Sequence, residues 1–492
     1  MKKLLIILFL SGLYAHVWAQ DRMLTGKVTS AENDEALPGV NVFVKGTTKG
    51  VVTDLEGFYQ IQVAEGDVVV FSYVGYLNEE KLIGTETTVD IVLIADIHTM
   101  DEVYVVGYGT QKKSVITGSI AKISAEDLEK SADLRVEQAI QGKAAGVMVM
   151  NNSGQPGDNL TVRIRGVGTY RDADPLYIVD GLPLTRDAMD YLNSSDIASI
   201  EVLKDASASA IYGTRGANGV IIITTKQGKK STPIKVTYDG FYGIQNAWKK
   251  QDMLNSEQYL EIMNEAQAND GRSNPLFDEA TIALIRDNGW DTDWQEAIFN
   301  KNALKTSHTL SFNGGGENNT YSSSLSYFKQ EGIIAPGKSN FERFTYRLGT
   351  KRSIGKFEIG TNINLANIKR RGIDGNSQYG LGLNQAINMQ PIVPIKYDDG
   401  TWGTPADFGV GLQEITNPVA LLEYHNSKSS TNKVLGNIYG VFEIIEGLKL
   451  RTDFGGEVAY VQDNSYTPLY YIDANHVNDS LDNATTGTVS YT

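Results

Sequence analysis

Apolar and polar residues alternate with period two along much of the chain. Val40, Val42 and Val44 are interleaved with Asn41, Phe43 and Lys45, and Phe58 to Val63 alternates in part. Between Leu24 and Ile94 short runs of this kind (LTGKV, LPGVNVFVKG, VVTDLEGFYQIQV, DVVVFSYVGY, TTVDIVLI) are punctuated by turn signals, with no helix-length pattern between them. That predicts a small β-sandwich. From Ile234 onward the alternating runs lengthen. Tyr321, Leu325 and Tyr327 oppose Ser322, Ser324 and Ser326, while Phe344, Tyr346 and Leu348 oppose Arg343 and Arg347. Phe357, Ile359, Ile363 and Leu365 alternate with Glu358, Gly360, Asn362 and Asn364. Leu448, Leu450, Thr452, Phe454, Val458 and Tyr460 share one parity, against Lys449, Arg451, Asp453 and Glu457. Runs of about ten residues with one apolar and one charged face suit strands of an outer-membrane barrel, although a soluble sandwich makes the same pattern. The polar stretches 246–300 and 370–430 read as long loops or inserted helices.

The segment 114–229 is patterned differently. Ser124-Ala-Glu-Asp127 has the capping-box form before a helical patch, and VEQAIQGKAAGVMV reads as helix then strand. Asp180-Gly181 is a tight-turn signal, and Val220–Thr225 (VIIITT) is the continuous β-branched run of a strand buried on both faces. A mixed α/β globule is expected. Tyr212-Gly213-Thr-Arg215-Gly216-Ala-Asn218-Gly219 is glycine-rich, but it precedes a strand where a dinucleotide fingerprint opens a helix, so Gly213, Gly216 and Gly219 are assigned to turn positions of positive φ. Arg163, Arg165 and Arg215 are expected in salt bridges. Asp205 and Glu201 make no convincing catalytic pair.

The N-terminus fixes a compartment. Lys2 and Lys3 precede an apolar core from Leu4 to Leu13, too short to span a bilayer, and Val17-Trp18-Ala19 supplies small residues for a signal peptidase. Cleavage between Ala19 and Gln20 is predicted. No uninterrupted apolar run of helical membrane length follows, so a membrane-spanning form of this chain is a closed β-barrel. Among 492 residues there is no Cys, which excludes disulfides, thiolate zinc sites, iron–sulfur clusters and a Cys nucleophile. The formal charge of −15 opposes a nucleic-acid partner. His98, His308, His425 and His476 are too scattered for a metalloprotease motif and no G-x-S-x-G occurs, so no catalytic residue, metal or cofactor is assigned. Gly332 to Ser339 satisfies G-x-x-x-x-G-K-[ST], but half-wet strands flank it on both sides, where a phosphate loop needs a buried strand before and a helix after. It is placed in a hairpin connection.

Asp101 and Glu102 lead into the β-prone Val103-Tyr104-Val105-Val106, after which Gly107 and Gly109 break the run. From spacing alone this is either a last edge strand of the sandwich or an extended segment that adds to a partner's sheet.

Resemblance chooses between these. DEVYVVGYGTQKK resembles the TonB box of Bacteroidota TonB-dependent transporters, and ALPGVNVFVKGT…GVVTDLEGFYQIQV resembles a carboxypeptidase-regulatory-like (transthyretin-like) domain. ADPLYIVDGLPL (173–184) and SIEVLKDASASAIYGTRGANGVIIITTKQGK (199–229) resemble the plug of SusC/RagA-family outer-membrane transporters. The implied organisation is a signal peptide (1–19), regulatory-like β-sandwich (20–98), TonB box and linker (99–113), plug (114–229) and antiparallel transmembrane β-barrel strands (230–492). The fold class is thus mainly β. The resemblance implies import of oligosaccharides or peptides across a Gram-negative outer membrane, with the N-terminal domain periplasmic. TonB, with its inner-membrane ExbB/ExbD complex, would pull the Asp101–Val106 segment, and a SusD/RagB-like surface lipoprotein would act as lid. A 22-strand family barrel needs roughly 200–240 residues of strand before any loops, and the sequence after the plug accommodates about eight strands, so an incomplete barrel is expected. The competing reading is a secreted or surface-attached β-rich binding protein whose first sandwich holds ligand.

Overall fold

The computed structural model describes residues 22–31, 34–73, 76–94, 103–106, 109–112, 119–129, 135–151, 153–170, 172–184, 189, 191–373, 382–409, 412–413 and 415–491. The predicted cleavage site at Ala19 and Gln20, and Asp101 and Glu102, lie outside the described residues. The chain divides into two compact units, Met1–Ile116 and Thr117–Thr492.

In the first unit, strands β1 (Arg22–Ser30), β4 (Phe58–Val63) and β7 (Ile91–Leu93) form one sheet in the order β4-β1-β7. Strands β2 (Asn41–Val44), β3 (Gly50–Val52), β5 (Val68–Ser72) and β6 (Glu79–Leu82) form the other, ordered β3-β2-β5-β6. Period two drives the packing: Val42 and Val44, then Tyr59, Ile61 and Val63, turn inward onto Leu24, Val28 and Phe71. The Tyr59 ring meets Phe71 edge-on at 5.2 Å, and its hydroxyl donates to the Val89 carbonyl at 2.7 Å, which satisfies its buried polar end. A separate hairpin pairs β8 (Val103–Val106) with β9 (Gly109–Lys112).

The second unit begins with a five-stranded mixed sheet ordered β10-β15-β16-β13-β14. Its members are β10 (Ile120–Ser124), β13 (Leu176–Val179), β14 (Leu182–Leu184), β15 (Ile197–Leu203) and β16 (Val220–Thr225). A two-stranded ribbon of β11 (Val147–Met150) and β12 (Thr161–Ile164) accompanies it. Central β16 is buried along nearly its whole length, as its β-branched run predicts. Ser124 and Asp127 exchange hydrogen bonds at the start of helix Ala125–Glu129, realising the capping box. Asp180 (φ 47°) and Gly181 (φ 89°) form the two-residue turn between β13 and β14.

Eight long antiparallel strands complete the unit in sequential order: β17 (Thr232–Gln245), β18 (Ala303–Gly315), β19 (Asn319–Glu331), β20 (Asn340–Ile354), β21 (Phe357–Arg371), β22 (Ser427–Ile445), β23 (Leu448–Thr467) and β26 (Asp482–Tyr491). A small hairpin of β24 (Tyr470–Asp473) and β25 (His476–Asn478) lies in the last connection. One face of this sheet carries small and polar residues buried against the preceding globule, among them Ser322, Ser324, Thr345, Arg347, Asn362 and Asn437. The other exposes Tyr238, Leu310, Leu325, Phe344, Ile359, Leu365, Ile438, Phe454 and Tyr460. Among the described residues no helix is long and apolar enough to cross a membrane, which says nothing of crossing by strands.

The two ends of this sheet differ. At one, β18 joins β19 through 316–318, β20 joins β21 through 355–356, and β22 joins β23 through 446–447. At the other, the connections 246–302, 332–339, 372–426 and 468–481 are long. This is the asymmetry of outer-membrane barrels, with short periplasmic turns and long external loops. The expected inserted helices are present at Ser256–Asn269, Glu279–Asp287, Trp294–Ile298, Leu383–Asn388 and Pro418–Tyr424. Four are capped by polar side chains: Asn255 with Gln258 as a capping box, then Asp278, Asp293 and Asn417. Leu260, Phe277, Ile285, Trp294, Ala335, Ile373, Met389, Ile392 and Leu422 form one core drawn from three of the long connections.

Candidate functional site

The contact between the α/β globule and the wall of long strands concentrates buried polar chemistry. Arg347 stands on β20 on the parity the sequence assigns to the polar side, and it is 1% exposed. Its guanidinium donates to the Ser322 hydroxyl (3.1 Å), to the Thr225 hydroxyl and to the Lys226 carbonyl (2.6 Å). It thereby ties the C-terminal end of β16 to the wall. Thr225 also donates through its N–H (2.9 Å) and its hydroxyl (2.7 Å) to the Asp180 carboxylate. The Asp180 carbonyl accepts from Asn437 of β22 at 3.2 Å, and Asn437 accepts from Asn362 of β21 at 3.1 Å. One chain of hydrogen bonds therefore runs from the globule's β13–β14 turn into four wall strands, β19 to β22.

Asp196 lies beside this chain, in the short 3-10 turn Ser194–Asp196 that Asn193 caps. Burial pushes its carboxyl above the usual carboxylate range, against the Ser324 hydroxyl and the charges of Arg347, Lys226 and Arg343, which favour ionisation. Asn193 donates to Thr309 of β18 at 3.0 Å. Further along, Tyr191 reaches Glu457 (3.4 Å), and Lys433 lies 3.5 Å from Glu457 and over the Tyr191 ring. Gln155 exchanges hydrogen bonds with the backbone of Ile373, and Asp158 pairs with Arg370. Apolar contacts accompany these: Phe328, Phe341, Ala366, Ile368 and Leu435 of the wall belong to the globule's own core cluster.

Glu201, on β15 opposite Lys122 of β10, is 1% exposed, and burial raises its carboxyl despite the Ser199 hydroxyl and the Lys122 charge. It has no fixed acid–base partner in Asp205, which instead pairs with Arg165 and accepts from the Ser119 N–H.

The sequence-predicted residues divide by placement. Asp180 and Gly181 join the wall network, and Gly213 (φ 60°) and Gly219 (φ 91°) are left-handed as expected. Gly216 is not. Its lack of a side chain serves packing, since a Cβ there would meet the Ser209 carbonyl at 3.0 Å and Val220 at 3.2 Å. Asn218 closes the preceding loop by donating to the carbonyls of Asp172 and Asp174. Tyr212 sits in the 3-10 segment Ala210–Gly216. Arg163 pairs with Asp174 and Arg165 with Asp205, whereas Arg215 is exposed and makes no ion pair among the described residues. Val103, Tyr104, Val105 and Val106 form a strand, as their composition predicts, paired on one side by Gly109–Lys112.

The Gly-Lys-Ser of the 332–339 connection serves a structural end. The Lys338 ammonium donates to the Glu423 carbonyl (2.9 Å), the His425 carbonyl (3.1 Å) and the Asn426 side chain (3.0 Å), capping the C-terminus of helix Pro418–Tyr424. A cleft of about 600 Å³ opens in the same loop cluster, lined by Met253, Tyr259, Asp291, Trp294, Gln390 and Leu412 among others. An Asp473–His476–Thr416 relay also occurs there, with ring nitrogens 2.8 Å and 2.6 Å from its neighbours. Thr416 is only 4% exposed, so its hydroxyl ties the β24–β25 hairpin to the 372–426 connection and is shielded from attack on a substrate. Asp473 and His476 are near neighbours in sequence, but nothing local marks their tie to Thr416, sixty residues away, or the distant partners of Asp196.

Comparison with known proteins follows the same boundaries. A family model for the TonB-dependent Receptor Plug Domain matches residues 112–220, and one for the CarboxypepD_reg-like domain matches 24–106. The chain is 35% identical over 476 residues to TonB-dependent receptor P3 of Formosa agariphila, covering 95% of this chain and 45% of that protein. It is 32% identical over 486 residues to TonB-dependent receptor SusC of Bacteroides thetaiotaomicron, covering 92% and 46%. The structure of the RagAB peptide importer in its open-open state matches at 28% identity with a TM-score of 0.65, over 76% of this chain and 44% of that one. The chain thus spans somewhat less than half the length of these relatives.

Proposed function

This chain belongs to the SusC/RagA family of TonB-dependent outer-membrane proteins, and from that premise we propose that it serves TonB-powered nutrient import. Oligosaccharide or peptide substrate meets the long-loop end, where a SusD/RagB-like lipoprotein closes as a lid. TonB, energised by ExbB/ExbD, adds to Asp101–Val106 as a strand and pulls. The hairpin supports this, because among the described residues β8 pairs only with β9, which leaves a main-chain edge of the kind strand addition uses. No step asks for a catalytic group.

The observation that carries the reading is the position of the plug's first and last strands. β10 follows the coupling segment directly and is an outermost strand of the plug sheet, whereas β16 is central and held to the wall through Thr225, Lys226 and Arg347. A pull from the N-terminal side therefore loads the strand with a single ladder first. β10 peels from β15 while the remainder stays clamped, which opens a path without extraction of the whole plug. Binding of the TonB periplasmic C-terminal domain to the purified chain tests the coupling step, with Val103→Pro and Val105→Pro as probes that remove ladder N–H groups. Binding lost in the proline variants supports the reading. Full binding in both removes this strand from the mechanism, and no binding by folded wild-type chain removes TonB coupling.

A further inference from the structure

On the outward face of the wall, near the short-turn end, a cleft of about 560 Å³ lies across β19 to β22. Strand register explains it. The row Tyr321–Thr350–Thr361–Ile438 sets two small threonines between large side chains, and the adjoining row nearer the turns, Asn319–Arg352–Ile359–Gly440, ends on a glycine. The Tyr321 ring leans over Gly314 of β18, where a Cβ would stand 2.6 Å from its hydroxyl, so it leaves the threonines uncovered. Ile359 (38% exposed) and Ile438 (47% exposed) form apolar walls, and Thr361 spends its hydroxyl on the Asn437 carbonyl at 2.8 Å. Apart from Asn318 of the β18–β19 turn, the cleft is lined by strands in the middle of the sheet, each flanked on both sides by its neighbours.

One cation stands at its mouth. Arg352 is exposed and shares the parity of Phe344, Tyr346 and Leu348, which puts it on the outward side, whereas the neighbouring Lys351 points the other way and pairs with Glu358 at 2.9 Å. Asn319 accepts from the Gly316 N–H at 3.2 Å through its carbonyl oxygen, which directs its amide N–H₂ elsewhere as a donor.

We propose that this cleft binds an anionic glycerophospholipid of the leaflet on the short-turn side, its phosphate on Arg352 and an acyl chain against Ile359, Ile438 and the threonine floor. A guanidinium takes a phosphate in a two-pronged, charge-assisted contact that a zwitterionic headgroup partly neutralises. The walls are continuous with the apolar outward face, so lipid rather than free phosphate is the fitting occupant. The inference rests on the membrane-barrel reading above.

The test is native mass spectrometry of the full chain in mixed phosphatidylglycerol and phosphatidylethanolamine bicelles. Retained phosphatidylglycerol is expected to exceed phosphatidylethanolamine by roughly five- to tenfold, the scale of one strong cation–headgroup contact. Arg352→Gln should abolish the preference, and Thr350→Trp, on the exposed face, should reduce retention of both lipids by filling the floor. Equal preference in Arg352→Gln, or displacement of the lipid by millimolar inorganic phosphate, overturns the proposal. Carbonate washing separates the two readings: wild type retained in membranes with no Arg352 effect defeats the lipid site alone, and wild type released defeats the barrel as well.

Discussion

Replacing Arg347 with Met should loosen the plug's last strand from the wall by about 3–5 kcal/mol, the cost of removing a buried charged donor from three neutral acceptors. The side chain is 1% exposed and gives up bonds to Ser322, Thr225 and the Lys226 carbonyl. Hydrogen bonds to a charged group contribute about 1.5–3 kcal/mol each, and three would exceed the figure above, but Met recovers part of it because no guanidinium is then desolvated. The change also strips Asp196 of one of the cations that oppose its desolvation. Hydrogen exchange of the Ile221–Thr225 amides in the reconstituted chain reads this directly. Protection should fall by roughly two to three and a half powers of ten, since about 1.4 kcal/mol is tenfold. Arg347→Lys, which keeps the charge but not the fork, should fall between. A loss smaller than about tenfold in Arg347→Met would refute the clamp.

Three further outcomes are expected. Because burial holds the Asp196 carboxyl above its ordinary value, the native state keeps that proton to higher pH than the unfolded state, and wild-type stability falls as pH rises from the unfolded value of 3.8 through the folded one. Asp196→Asn removes this slope, so its denaturation midpoint should gain on wild type as pH rises above about 4, and a constant difference would contradict the assignment. Gly219→Ala combines φ 91° with a Cβ 2.7 Å from Ile164 and 3.1 Å from the Leu203 carbonyl, and should cost about 2–4 kcal/mol in urea titration. Lys338→Met should cost about 1–3 kcal/mol locally, seen as faster exchange in Pro418–Tyr424. ATP should bind neither form, and nucleotide binding lost with Lys338 would reverse the structural reading of that loop.

Strand parity was the most legible property, because a strand has only two faces and the plug needs one of them polar. Arg343, Arg347 and the serines of β19 could therefore be assigned to the buried side from sequence, as could the outward Phe344 and Leu348. The turn at Asp180-Gly181 was legible for a similar reason: positive φ at two successive residues selects few residue types. Tertiary partnership was not. Asp196 sits in an ordinary Ser-Ser-Asp turn, and nothing local marks a carboxylate that ends up beside residues of β19 and β20. Gly216 shows the same limit from the other direction, since its requirement comes from the Ser209 carbonyl across a turn rather than from its own backbone angle.

The helices of the long connections bury their apolar faces against one another, with Phe277 and Trp294 from 246–302, Ala335 from 332–339, and Met389 and Leu422 from 372–426 in a single core. Such loops cannot diversify one at a time. A graft that exchanged only one of these connections with that of a relative would strand the apolar surface of the other two, so altered recognition at this end requires transplanting all three as a block. Change at this end should therefore arrive as correlated substitutions across three distant stretches of the gene.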